Sequence, residues 1–200
     1  MPRNLVPELT VHYSILLAGG LSSRMGEDKA ELQFEGESLL QRGLNLLDST
    51  ASELILISGR EGFANAVADI IPHSGPPGAI YSCLEYLLKI GKLDDSPLLI
   101  VPVDMPLLNQ DVLTTLLNNM QEQEACNFEA EVFPCAVRAS ENLRQHLENL
   151  FQESQELGGK RSMRAVLKFC NSKAISKSLF ADEVFRNINT PEDYKKVLSD

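Results

Sequence analysis

Residues 14–29 read SILLAGGLSSRMGEDK. Ser14 to Ala18 is a short, continuous apolar run, the pattern of a strand covered on both faces. A glycine pair, Gly19 and Gly20, follows at once, then hydroxylated residues, Arg24, a third glycine at Gly26, and Lys29. Glycines leave backbone N–H groups unobstructed and cations at the rim neutralise charge, so this composition suits a cradle for a polyphosphate. It is not a P-loop, because Glu27 and Asp28 separate Gly26 from Lys29 and Ala30 follows the lysine. The dinucleotide fingerprint G-x-G-x-x-G is also absent. A plain strand-to-helix connection accounts for the glycines alone; Arg24 and Lys29 are what favour a phosphate ligand.

Outward from this loop the chain alternates strand and helix signals. Leu39, Leu40, Leu44 and Leu47 fall at helical spacing within Ser38 to Asp48, and Leu54 to Ile57 is a second buried strand. Ile70 to Ile71 is expected as a short third strand, Ile80 to Leu88 as a helix, Leu98 to Val103 as a fourth strand and Asp111 to Met120 as a helix. The second half is less regular: a strand over Glu131 to Val137, helices over Glu141 to Phe151 and Arg164 to Phe169, and a last strand over Val184 to Ile188. Thr190, Pro191 and Asp193 form a capping-box pattern for a final helix. This alternation predicts an α/β fold, a single-domain, open, mostly parallel Rossmann-like sheet with helices on both faces. No repeat or linker divides the chain, so residues 13–200 are expected to be one domain, preceded by a flexible extension over 1–12 in which Pro2 and Pro7 discourage a helix.

With 200 residues, 44% hydrophobic and 23% charged, the chain can bury a core without staples. Its formal net charge of −10 argues against general nucleic-acid or anionic-membrane binding, yet leaves room for a small anionic substrate met by locally focused cations. Such cations are Arg24 and Lys29, and Lys160, Arg161 and Arg164 further on. Cys83, Cys126, Cys135 and Cys170 show no C-x-x-C and no metal spacing with His12, His73 or His146, and reduced thiols are expected. No signal-peptide or membrane-spanning run is present, so a cytoplasmic enzyme is the simplest expectation; a monomer is expected as well.

Asp104 ends the apolar run Leu98 to Val103, and ligands of open parallel sheets bind beyond the carboxyl ends of strands, the edge that also carries the glycine loop. A carboxylate there suits Mg²⁺, which keeps several waters and takes other ligands from phosphates; a turn opening the next helix is the alternative. Lys29 would be a mobile point charge and Arg24 a fixed fork on the same phosphates, while Asp28 reads as a neighbour that pairs with Lys29. Asn187 and Asn189 flank Ile188 at the end of the last expected strand, so at period two their amides share a side. Gly75, Pro76 and Gly78 make a rigid turn before a helix, and Arg60 reads as an exposed loop cation.

Residues 17–29 resemble the signature L-A-G-G-x-S-x-R-M-G-x-D-K of nucleotidyltransferases that activate phosphorylated small molecules. The closest match is the molybdenum cofactor guanylyltransferase family, also called the molybdopterin-guanine dinucleotide biosynthesis protein A family. VPVDMPLL at 101–108 and NINTPEDY at 187–194 carry the resemblance across nearly the whole chain. It implies transfer of GMP from GTP to the phosphate of molybdopterin, with pyrophosphate released. It also implies Arg24, Lys29 and Asp104 as catalytic residues, Asp104 as ligand of Mg²⁺, and nucleotide or pterin contacts from Leu17, Ala18, Gly19, Gly20, Gly26, Lys29, Asp69, Gly75, Gly78, Asn187 and Asn189. Asp69 stands where the family reads guanine; its carboxylate can accept both N1–H and the 2-amino group. GGKRSMR at 158–164 resembles the basic segment that approaches the pterin. The chain departs from the family at Pro77, at Ala79 and at Ser58, where many relatives have asparagine. The resemblance implies GTP and molybdopterin as substrates and transient contact with cofactor-biosynthesis proteins and recipient molybdoenzymes. Cytidylyl transfer to molybdopterin, nucleotidyl transfer to another phosphorylated metabolite, and a non-catalytic nucleotide-binding module remain the alternatives.

Overall fold

A computed structural model describes residues 11–19, 28–157 and 161–199. Along the chain these form β1 (Tyr13–Leu17), a 3-10 turn (Lys29–Glu31), β2 (Gln33–Phe34), β3 (Glu37–Ser38), α1 (Leu39–Asp48), β4 (Leu54–Ser58), β5 (Ala66–Val67), α2 (Gly75–Lys89), β6 (Pro97–Pro102) and α3 (Gln110–Asn118). The second half adds β7 (Ala125–Phe128), β8 (Cys135–Arg138), α4 (Glu141–Leu157), α5 (Met163–Phe169), β9 (Lys173–Ile175), a 3-10 turn (Asp182–Phe185) and α6 (Pro191–Ser199).

The principal sheet runs β5-β4-β1-β6-β8-β7-β9, with β2 and β3 forming a separate hairpin. β1 lies parallel to both β4 and β6; β8 is antiparallel to β6 and to β7, and β9 returns parallel to β7. The sheet is therefore mostly parallel, with β8 reversed. From β1 the chain passes through α1 to β4 on one side, then returns through α2 to β6 on the other, so the order reverses beside β1. A crevice opens at such a reversal, outside the carboxyl ends of the strands.

Side-chain alternation explains the two covered faces. Tyr13, Ile15 and Leu17 of β1 join one core with Ile80, Leu84 and Leu87 of α2, Leu143 and Leu147 of α4, and Val166 of α5. Leu16 points the other way, into a second core with Leu39 and Leu47 of α1, Val112 and Leu116 of α3, and Val197 of α6. Ile15 and Leu16 are both sealed from solvent, and truncating either to alanine should cost about 2–5 kcal/mol. Four helices start on a side-chain oxygen that accepts an otherwise orphaned N–H: Ser38 from Gln41 in α1, Asn109 from Val112 in α3, Ser140 from Leu143 in α4 and Ser162 from Ala165 in α5. In the capping box of α6, Asp193 accepts from the N–H groups of Asn189 and Thr190 while Thr190 accepts from the Asp193 N–H.

Several expected elements are corrected. The third strand is Ala66–Val67, paired with Ile57 and Ser58, not Ile70 to Ile71; the Ile70 N–H goes instead to the Ser82 hydroxyl. Of Glu131 to Val137, only the part from Cys135 joins the sheet, because Pro134 has no N–H to donate and the ladder begins after it. Val184 to Ile188 is not a strand: a 3-10 turn ends at Phe185 and the chain continues as an extended segment. The four cysteines are buried free thiols, and desolvation pushes all four up, Cys170 to about 11.

Candidate functional site

Three strand ends are knitted together at the crevice. The Ala18 N–H donates to the Ser58 carbonyl at 3.0 Å, and the Val103 N–H donates to the Leu17 carbonyl at 3.0 Å. Continuous pairing to the last residue of each strand gives the crevice a rigid floor. Above it lie two adjoining hollows that share Leu17, Gly19 and Pro76.

The first hollow, about 300 Å³, is walled by Asp28, Lys29, Asp104, Asn187 and Phe133 among others. Lys29 sits in the 3-10 turn whose N-cap is Asp28. Its ammonium donates to Asp104 Oδ2 at 2.9 Å and to Asn189 Oδ1 at 2.9 Å. Both side chains of the Lys29–Asp104 pair are 19% exposed, so each is shielded yet reachable from the hollow. Asp104 also holds the third motif in place: its carbonyl accepts from the Ile188 N–H at 2.8 Å, and Ile188 is fully buried. That anchor sets Asn187 on the wall and Asn189 on Lys29. The expectation that the asparagines share a strand face thus fails, yet both reach the crevice by a different route.

The second hollow, about 510 Å³, is lined by Ser58, Gly59, Asp69, His73, Gly75 and Ala79 in addition to the shared residues. Asp69 is exposed, and the Ser58 hydroxyl, itself buried, donates to Asp69 Oδ1 at 3.4 Å. Gly19 and Gly59 meet backbone to backbone at the junction. A Cβ on Gly19 would stand 2.6 Å from the Gly59 Cα, and Gly59 has φ +79°, so neither position has room for a side chain and the second also needs a left-handed backbone.

Of the residues singled out from sequence, Leu17, Ala18, Gly19, Lys29, Asp104 and Asn187 line the first hollow, Asp69 and Gly75 the second, and Asn189 touches Lys29. Gly20, Arg24 and Gly26 lie outside the described residues, as do Gly158 to Lys160. Gly78 faces the body of the protein: a Cβ there would fall 1.6 Å from Ser74 Oγ, which accounts for the glycine by packing. Asp28 is paired with Arg60 rather than Lys29, and Arg60 is not an exposed cation, its side chain being 19% exposed between Asp28 and Glu31. Sequence reading missed Phe133, a wall residue in a non-repetitive stretch. It also missed His73, whose φ of +58° and place two residues before Gly75 mark a tight turn into α2.

Among the described residues, no three His, Cys, Asp or Glu side chains come together as a metal cage. A hard divalent cation that takes most of its oxygens from phosphate and water fits the donor set present, the Asp104 carboxylate with the Asn187 amide on the same wall. Among the described residues no helix is long and apolar enough to cross a membrane.

Residues 14–174 match the model of the MobA-like NTP transferase domain. A molybdenum cofactor guanylyltransferase from Xanthomonas euvesicatoria pv. vesicatoria (strain 85-10) is 32% identical over 184 residues, covering 92% of this chain and 93% of that relative. Among solved structures, molybdopterin-guanine dinucleotide biosynthesis protein A from Archaeoglobus fulgidus superposes with a TM-score of 0.71 at 19% identity, over 94% of this chain and 97% of that one. The 4-diphosphocytidyl-2C-methyl-D-erythritolsynthase from Anaerococcus prevotii DSM 20548 superposes with a TM-score of 0.67 at 11% identity, over 96% of both chains. These two superpositions establish the α/β fold, and the extended sequence matches establish more: the chain belongs to the MobA-like NTP transferase family.

Proposed function

We propose that the protein transfers GMP from GTP to the phosphate of molybdopterin. An oxygen of the pterin phosphate bonds to the α-phosphorus of GTP, the bridge from the α- to the β-phosphate breaks, and pyrophosphate leaves with the bonding electron pair. The observation that carries this reading is the meeting of Lys29, Asp104 and Asn189 at the end of β6, in the crevice of a nucleotidyltransferase fold.

The nucleophile belongs to the substrate. A phosphate monoester is already substantially ionised near neutral pH, so the protein needs no nucleophile or general base of its own, and catalysis is positioning plus charge stabilisation. Lys29 supplies a cation beside the triphosphate, and Arg24, at the rim of the same loop in sequence, supplies a second. Asp104, with Asn187 on the wall beside it, would hold Mg²⁺. When bound, the ion neutralises phosphate charge and polarises the P–O bonds. Asn189 accepts from the Lys29 ammonium alongside Asp104 and helps to fix it. Leu17, Ala18 and Gly19 present backbone to the hollow where the phosphates would lie, and Gly20 and Gly26 are assigned to the same contact from their place in the motif. In the second hollow Asp69 accepts from guanine N1–H and the 2-amino group, with Gly75 as a backbone wall and the Ser58 hydroxyl orienting the carboxylate. Gly78 acts from beneath by allowing α2 to pack.

Thermal denaturation with GTP, CTP, ATP and UTP, each with Mg²⁺, tests the base, since a ligand that binds only the native state raises its melting temperature. GTP should give the largest rise. A larger rise with CTP would instead favour the cytidylyl reading.

A further inference from the structure

The segment Ser58-Gly59-Arg60 touches both ends of the glycine-rich loop. At the near end, the Ser58 carbonyl accepts from Ala18 and Gly59 abuts Gly19. At the far end, Arg60 is ion-paired with Asp28, and its guanidinium lies 3.5 Å from Glu31. Asp28 is the residue before Lys29 and its carboxylate accepts from the Ala30 N–H at 3.1 Å, so it caps the turn that carries Lys29.

We propose that Arg60 is a positioning residue for nucleotide binding, acting through Asp28 to hold the Lys29 turn and to mask carboxylate charge at the mouth of the crevice. Two physical effects converge on it. Arg60 is about four-fifths covered and lies between carboxylates on either side of Lys29 in sequence, so it restrains the backbone from which the Lys29 ammonium reaches into the hollow. Asp28 also lines that hollow, and without the guanidinium its negative charge would face an incoming polyphosphate. Arg60 follows directly on Gly59, whose backbone abuts Gly19, so the segment that carries the guanidinium leaves β4 against the near end of the loop. The proposal rests on the reading that Lys29 meets nucleotide phosphates.

The test is a double-substitution cycle on the full chain, with GTP affinity in Mg²⁺ read by calorimetry and backbone exchange of residues 28–34 read without nucleotide. Asp28→Asn removes the charge and keeps a cap acceptor, so the turn survives. Arg60→Gln should weaken GTP binding by about fivefold, the scale of a partly covered ion pair. It should also speed exchange at Ala30 to Leu32, and Arg60→Lys should recover at least half of the lost affinity. In the Asp28→Asn background, Arg60→Gln should change affinity by less than twofold. Unchanged affinity in Arg60→Gln overturns the proposal, as does an undiminished loss in the Asp28→Asn background, which would make Arg60 a direct nucleotide contact. If the wild type prefers another nucleotide, the guanine reading fails while the cycle is run with that nucleotide. If it binds none, exchange of 28–34 still decides whether Arg60 holds the turn, and no acceleration in Arg60→Gln refutes it.

Discussion

The two hollows of the crevice are held by different kinds of contact. Around Asp104, full charges are cross-linked: Lys29 spans to Asp104 and Asn189 at 2.9 Å each, and the Ile188 backbone ties the third motif to the same aspartate. Around Asp69, an exposed carboxylate is approached by one hydroxyl at 3.4 Å. A braced cluster suits charge stabilisation, which depends on groups that need not reorganise as the reaction proceeds. A loosely held carboxylate suits selection, where a base has to be admitted and compared with others. Damage to the first hollow should therefore stop transfer, and damage to the second should blur the choice of nucleotide.

The largest effect is expected at Asp104. Asp104→Ala should lower turnover by at least about a hundredfold with circular dichroism and melting unchanged in character, because the carboxylate serves an edge of the crevice and not the core. Asp104→Asn, which keeps the shape without the charge, should also be impaired. Near-normal turnover in a folded Asp104→Ala protein would remove the aspartate from the metal site. Lys29→Ala comes next: loss of a charge-assisted contact of about 1.5–3 kcal/mol should cost roughly ten- to a hundredfold in kcat/KM for GTP. Steady-state kinetics with unchanged values would make Lys29 a surface cation.

Asp69→Asn should be milder and of a different kind. The amide presents a donor where the carboxylate offered a second acceptor, so competition between GTP and CTP should shift toward CTP by about tenfold while Mg²⁺-triphosphate binding is largely kept. An equal loss for every nucleotide would erase the division between the hollows.

The smallest effect lies at the other end of β1, away from the crevice. Burial, aided by a hydrogen bond to Asp94, pushes the Tyr13 hydroxyl up from 10.0 to about 12. The unfolded chain ionises first, so this contribution to stability is complete below pH 10 and is lost as pH rises toward 12. Denaturant midpoints at about pH 9 and 11 should differ less for Tyr13→Phe than for the wild type; an equal change would show that Tyr13 does not contribute to the alkaline loss.

Legibility in the sequence follows the same geography. β1, β4 and β6 are continuous apolar runs because they lie in the middle of the sheet with helices on both faces, and helices with one buried stripe show their spacing. The outer strands β5, β7 and β9 are only two to four residues long and leave too little period to read. Strand β8 is shorter than the run Glu131 to Val137 suggests because Pro134, which cannot donate to a ladder, stands immediately before it. Lys29, Asp104 and the asparagines were marked by motif, but their mutual contacts span 75 and 160 residues in sequence. The docking of Ile188 on the Asp104 carbonyl is a backbone interaction, which leaves no side-chain signature. Arg60 looked like a loop cation because its partner, Asp28, is 32 positions away, beyond any local pattern.

The most direct test incubates the purified protein with molybdopterin, Mg²⁺ and each nucleoside triphosphate in turn, and identifies the product by mass spectrometry. The account predicts a guanine dinucleotide with equimolar pyrophosphate from GTP, and little product from CTP, ATP or UTP. A cytosine dinucleotide as the main product, or no dinucleotide from any of the four, would contradict it.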